Sequence, residues 1–125
     1  MKYLLDTHAL IWYFDEESKL SDKLKELILN PKNTICVSIS SVWEMAIKIS
    51  IGKMDKCLEE LLIGVERAGF SFLPVEVEYI RKLLALPFIH RDPFDRLIIA
   101  TAVTEDMTII TADENVKKYD ISWIW

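Results

Sequence analysis

Short β-rich runs alternate along the chain with longer stretches whose apolar residues recur every three or four positions. Lys2–Leu5, Thr34–Ser38, Ser71–Leu73, Thr108–Thr111 and Ser122–Trp125 predict strands. A first helix is expected between Asp6 and Asp15. Ser21 opens another, with Leu24, Leu27 and Ile28 on one face, and Asn30-Pro31 ends it. A further helix is expected from near Ser41 to about Gly52. The next carries Leu58, Leu61, Leu62 and Val65 and stops at Gly69. After Pro74, the spacing of Ile80, Leu83 and Leu84 predicts a helix that runs up to Pro87. The stretch from Pro93 is apolar nearly all round (Phe94, Leu97, Ile98, Ile99, Ala102, Val103), as expected of a helix sandwiched in the core. A short helix follows Thr111. Strands alternating with helices predict an α/β fold with a parallel sheet covered on both faces.

Composition narrows this picture without redirecting it. A chain of 125 residues, 51% hydrophobic and 28% charged, reads as one globular domain able to bury a core. No apolar run approaches a membrane span. Asp6 and His8 break the only segment resembling a signal peptide, so a cytoplasmic protein is expected. Cys36 and Cys57 form neither a disulfide framework nor a zinc site and are expected to be buried thiols. Trp12, Trp43, Trp123 and Trp125 lie in apolar periodic contexts that predict core or interface packing. Ile121, Trp123 and Trp125 alternate as in a strand with one buried face. A net charge of −5 argues against a simple basic nucleic-acid binder.

The placement of particular acids changes the picture more. In an open parallel sheet the carboxyl ends of the strands share one edge, and ligands bind there. Asp6 ends the first strand in LLDTHALIW. Glu44 follows the second in SSVWEMA, Asp95 lies in HRDPFDRLIIA, and Asp113 follows the fourth strand in TIITADENV. Asp15, Glu16, Glu17, Glu105 and Asp106 fall on the opposite edge. Each rim acid also has a capping reading. Asp6 is a candidate N-cap. Ser41 and Glu44, and Thr111 and Glu114, have capping-box spacing. Asp92-Pro93 opens a helix whose dipole favours Asp95. Singly, capping is the simpler account. Together, ionised carboxylates 5 Å apart repel by about 3 kcal/mol per pair at an effective dielectric of 20. Such a group is relieved by protonation or by a cation, and an all-oxygen donor set suits Mg²⁺ or Mn²⁺. Whether the four acids converge or spread along the edge is left open by the strand pattern.

These motifs (LLDTHALIW, SVWE, HRDPFDRLIIATA and IITAD) resemble the PIN-domain proteins, in particular the VapC-type toxins of toxin–antitoxin pairs. The resemblance covers essentially the whole chain, residues 1–125, as a single PIN-like nuclease domain. It implies a three-layer α/β/α sandwich with a central parallel sheet. It also implies an Mg²⁺- or Mn²⁺-dependent endoribonuclease that forms a homodimer and is neutralised by a cognate antitoxin. Carried over by position, Asp6, Glu44 and Asp95 are the main catalytic metal ligands, Asp113 completes a second or weaker site, and Thr111 stands beside the metal. Thr7 and Asp92 are expected chiefly as caps near the site. Arg96 and Arg91 are either phosphate contacts or solvated, ion-paired arginines. His8 and His90 are each a base, a phosphate contact or an ordinary packed or surface histidine. Lys48, one turn beyond Glu44, is placed to pair with it. Setting the four site acids aside leaves a net charge of −1, so RNA need not meet a basic surface.

Other classes predict other features. A haloacid-dehalogenase-like phosphatase needs a second Asp two residues after Asp6, where His8 stands. A flap-type DNA nuclease needs added DNA-binding elements for which 125 residues leave no room. A stand-alone PIN nuclease without an antitoxin shares the same acids. An acidic pocket that docks a basic partner segment would share them too, but without turnover.

Overall fold

The computed structural model describes residues 1–125. Its strands are β1 (Lys2–Leu5), β2 (Thr34–Ser38), β3 (Ser71–Leu73), β4 (Thr108–Ile110) and β5 (Trp123–Ile124). Its helices are α1 (Thr7–Asp15), α2 (Asp22–Leu29), α3 (Ile39–Ser50), α4 (Leu58–Arg67), α5 (Val77–Ala85), α6 (Pro93–Glu105) and α7 (Glu114–Lys117). All five strands pair in parallel in the order β3-β2-β1-β4-β5.

Alternation along each strand sorts the side chains into two cores. Tyr3 and Leu5, Ile35 and Val37, and Ile110 face one side, where Ala9, Leu10, Leu24, Ile28, Met45 and Val65 cover them. Leu4, Cys36 and Ile109 face the other, against Ile98, Ile99, Ala102, Val116 and Tyr119. The result is the expected α/β/α sandwich. Helix α6 is the buried one, with Ile98, Ile99, Ala100, Thr101 and Ala102 all inside, and α5 lies along its outer side. On the first face Gly64 of α4 lets Phe14 of α1 approach; a Cβ there would lie 3.1 Å from the ring. Gly69, at φ +76°, turns the chain out of α4.

Several sequence expectations are corrected. The face of α5 that carries Ile80 and Leu84 points outward, Leu84 being 82% exposed, and Tyr79 is the residue this helix buries. Periodicity alone does not distinguish an inward stripe from an outward one. Cys57 is exposed; only Cys36 is buried. Trp43 is 60% exposed and Trp123 is also exposed, beneath Lys117, so neither is a core residue. The last strand has no single buried face, because Ile121 packs against the second core while Ile124 and Trp125 pack against the first.

Candidate metal centre

The strand order creates the site. β1 is flanked by β2 on one side and β4 on the other, the arrangement that opens a crevice at the carboxyl ends of the strands. Leu5 is in register with both Val37 and Ile110. The next residues, Asp6, Ser38 and Thr111, therefore stand in one row at the rim. The Asp6 amide donates to the Ile110 carbonyl at 3.2 Å, which fixes the row. Asp6 caps α1, its Oδ1 accepting from the Ala9 amide at 2.8 Å, while the Thr111 hydroxyl donates to Oδ2. The capping expectation for Asp6 is met, yet it occupies only one oxygen. Burial raises the Asp6 pKa, the Thr111 and Ala9 hydrogen bonds oppose that rise, and nearby Asp113 adds to it.

Thr111 does not cap α7, contrary to the capping-box expectation. Asp113 caps that helix, its Oδ1 accepting from Asn115 at 2.7 Å and Val116 at 3.3 Å. Thr111 Oγ1 instead accepts from the Asp113 amide at 3.0 Å, so one hydroxyl ties Asp113 to Asp6.

Glu44 corrects a second capping expectation. Helix α3 starts at Ile39 with Ser38 as its N-cap, three residues earlier than anticipated. Ser41 is therefore buried inside the helix, and Glu44 lies in its second turn, free of backbone duty. Glu44 Oε1 accepts from the Thr7 hydroxyl at 2.7 Å, Ser41 Oγ lies 3.0 Å from the same hydroxyl, and Lys48 Nζ is 3.1 Å from Oε2. Thr7, expected as a cap, thus links α1 to α3. The Lys48 pairing is as anticipated.

Asp95 lies in the first turn of α6. Asp92 is the N-cap, its Oδ1 accepting from Phe94 at 2.9 Å and Asp95 at 3.0 Å, with Pro93 following, as expected. The Asp95 carboxyl is pushed up to about 7, first by burial and then by the charges of Asp92, Asp113, Asp6 and Glu44. Asp95 thus feels the other three candidate ligands, and Asp6 feels Asp113. Arg96 is turned inward and only 6% exposed. It donates to the carbonyls of Pro87 and Leu83 and to Tyr119, so it is neither a solvated arginine nor one open to phosphate. Sequence reasoning missed Tyr119, and it named Ser41 as a cap rather than as a partner of Thr7. Neither pairing carries a local signal, because the partners lie 23 to 34 residues away.

The donors present suit a hard divalent cation: four carboxylates, two hydroxyls and no thiol. Burial, with the neighbouring acids adding to it, drives Asp95 up to about 7, and a cation would relieve that strain. No three of these side chains form a closed ligating set. Each is held back by its own partner, Asp6 by Thr111, Glu44 by Thr7 and Lys48, Asp113 by α7, and Asp95 by His90 at 3.3 Å. The rim is shallow. A recess of about 230 Å³ beside Asp113 is lined by His8, Trp12 and Ala112.

The family model for the PIN domain matches residues 3–122. The chain belongs to the PIN domain family. This PIN domain is also similar in fold to the VapBC2 complex of Rickettsia felis bound to a fragment of its promoter DNA, with a TM-score of 0.78 at 20% identity; the match covers 100% of this chain and 99% of that one. The DNA-bound VapBC of Salmonella typhimurium matches with a TM-score of 0.72 at 17% identity over 99% and 97% of the two chains. FitAcB of Neisseria gonorrhoeae matches with a TM-score of 0.66 at 19% identity over 98% and 96%. No curated protein sequence matches this PIN domain. No helix in it is long and apolar enough to cross a membrane.

Proposed function

We propose that this PIN domain is a VapC-type toxin, a metal-dependent endoribonuclease held in check by an antitoxin. The observation that carries the reading is the placement of Asp95, whose ionisation is opposed first by burial and then by acids from other segments, Asp113, Asp6 and Glu44 among them. Asp6, Glu44 and Asp95 would hold Mg²⁺ or Mn²⁺, with Asp113 serving a second or weaker position. Bound there, the cation polarises a phosphate and lowers the pKa of a water. Thr111 orients Asp6, while Thr7 and Lys48 hold Glu44 on the rim. Similarity to toxin–antitoxin complexes supports an antitoxin partner. The open apolar side chains Trp43, Leu84 and Phe88 support surfaces that pair with other chains, the antitoxin and a second copy of this one.

Structured and unstructured RNAs incubated with Mg²⁺, Mn²⁺ or chelator test the reading. Cleavage is expected with either metal and not with chelator, and Asp6→Asn should abolish it. Cleavage that persists in Asp6→Asn overturns the site. Metal binding without cleavage of any RNA would favour an acidic docking pocket instead. Coexpression with a cognate antitoxin should silence the activity. Sedimentation as a monomer at working concentration would exclude the paired form.

A further inference from the structure

Arg96 brings a positive charge into the interior with no carboxylate to pair it. Nη1 donates to the Pro87 carbonyl at 2.9 Å and to the Tyr119 hydroxyl at 2.9 Å, and Nη2 reaches the Leu83 carbonyl at 3.4 Å. Leu83 lies in the last turn of α5, where the helix dipole favours a cation. The Phe88 ring lies 4.8 Å from the guanidinium carbon. The charge is therefore satisfied by carbonyls, a ring and one phenol, and the phenol passes its effect on.

Tyr119 Oη accepts from Arg96 and, at 3.3 Å, from the His90 amide. Both lone pairs are then occupied. The phenolic hydrogen has one partner left, His90 Nδ1 at 2.8 Å. A ring nitrogen that accepts carries no hydrogen in the neutral imidazole, so the hydrogen resides on Nε2. Nε2 stands 3.3 Å from Asp95 Oδ2.

We propose that His90 is a positioning residue for Asp95, locked as the Nε2–H tautomer by the Arg96–Tyr119 relay, so that one carboxylate oxygen is held by the protein and the other is left for the cation. This role rests on the reading of Asp95 as a metal ligand. The relay joins the loop before α6, α6 itself and the segment after α7, and so couples the rim to the second core. Outer partners of this kind orient a ligand and raise its affinity for metal by about 10- to 100-fold.

Two measurements on the whole protein test the role. Long-range proton–nitrogen NMR of the wild-type imidazole should show the hydrogen on Nε2 in the neutral ring, and Tyr119→Phe should relax that preference. Calorimetric titration with Mn²⁺ should show affinity falling about 10- to 100-fold in His90→Phe, which keeps a ring but has no donor. His90→Gln, which restores a donor near the Nε2 position, should recover most of it. An Nδ1–H tautomer in the wild type overturns the role without any variant having to fold. Equal Mn²⁺ affinity in wild type and a folded His90→Phe overturns the role alone. No Mn²⁺ binding by the wild type overturns the metal-site reading, and the positioning role with it.

Discussion

At the amino edge of the sheet, Asp15 pairs with Lys56 at 2.6 Å, Glu16 with Lys19 at 3.2 Å, and Glu105 accepts from Tyr79 at 2.9 Å. At the carboxyl edge, Glu44 alone of the four acids has a lysine partner, Lys48 at 3.1 Å, and Asp95 stands 3.3 Å from His90. Acids at the first edge have local partners, and those of Asp15 and Glu16 are open to water, so screening makes them nearly neutral in energy. At the second, Asp6 and Glu44 are buried and Asp95 is raised to about 7, first by burial and then by its acidic neighbours. A fold selected only for stability would treat both edges alike. The contrast supports the proposed reading of the carboxyl edge as the one that carries chemistry.

Asp95→Asn breaks the contrast most sharply. RNA cleavage should fall by about two to three orders of magnitude, since a metal ligand supplies several kcal/mol of transition-state stabilisation. In chelator at pH 8 the same variant should melt at a higher temperature than the wild type, because it removes a repelled charge. An unchanged or lower Tm there would mean that the rim is not under electrostatic pressure.

The pressure also has a sign in pH. Folded Asp95 keeps its proton up to about pH 7, whereas an ordinary aspartate gives it up near 3.8. Its contribution to stability is thus complete below about pH 4 and is lost as pH rises through 7. Asp6, also raised, works in the same direction. Scanning calorimetry in chelator should therefore show Tm falling between pH 4 and 8, with a shallower fall for Asp95→Asn, in which Asp6 still contributes. Mn²⁺ favours the ionised carboxylates, so it should raise Tm more at pH 8 than at pH 5.

Lys48→Met removes the one lysine paired to the rim acids. With Glu44 left buried beside its like-charged neighbours, a loss of about 1–2 kcal/mol is expected in chelator by urea denaturation, largely recovered by Mn²⁺. Lys56→Met at the amino edge should give the smallest effect: a slight drop in Tm at low salt that vanishes at high salt, with cleavage unchanged. Equal losses in the two variants would erase the distinction between the edges.

Periodicity carried the reading of the sequence a long way. All five strands were placed within one or two residues, and the seal of Asp92 and Pro93 on α6 was legible because caps are local. The same locality explains the failures. Ser41 and Glu44 have capping-box spacing, but Ser38 captures the helix start, since the register of β2 carries the chain directly into α3. Ile80 and Leu84 have the right spacing for a core stripe, but α6 already fills that side of the sheet, so α5 turns them outward.

The chain's own pattern determined that strands would alternate with helices and that Asp6, Asp95 and Asp113 would stand at strand ends or helix starts, because strand and helix periods and caps are set by near neighbours. Only the tertiary structure decided that β1 lies between β2 and β4, which sets Asp6, Ser38 and Thr111 in one row and lets the Thr111 hydroxyl tie Asp6 to Asp113. It alone joined Thr7 to Glu44 across 37 residues and Arg96 to Tyr119 across 23. Strand order and side-chain partnership depend on how distant surfaces pack, and no local period encodes that.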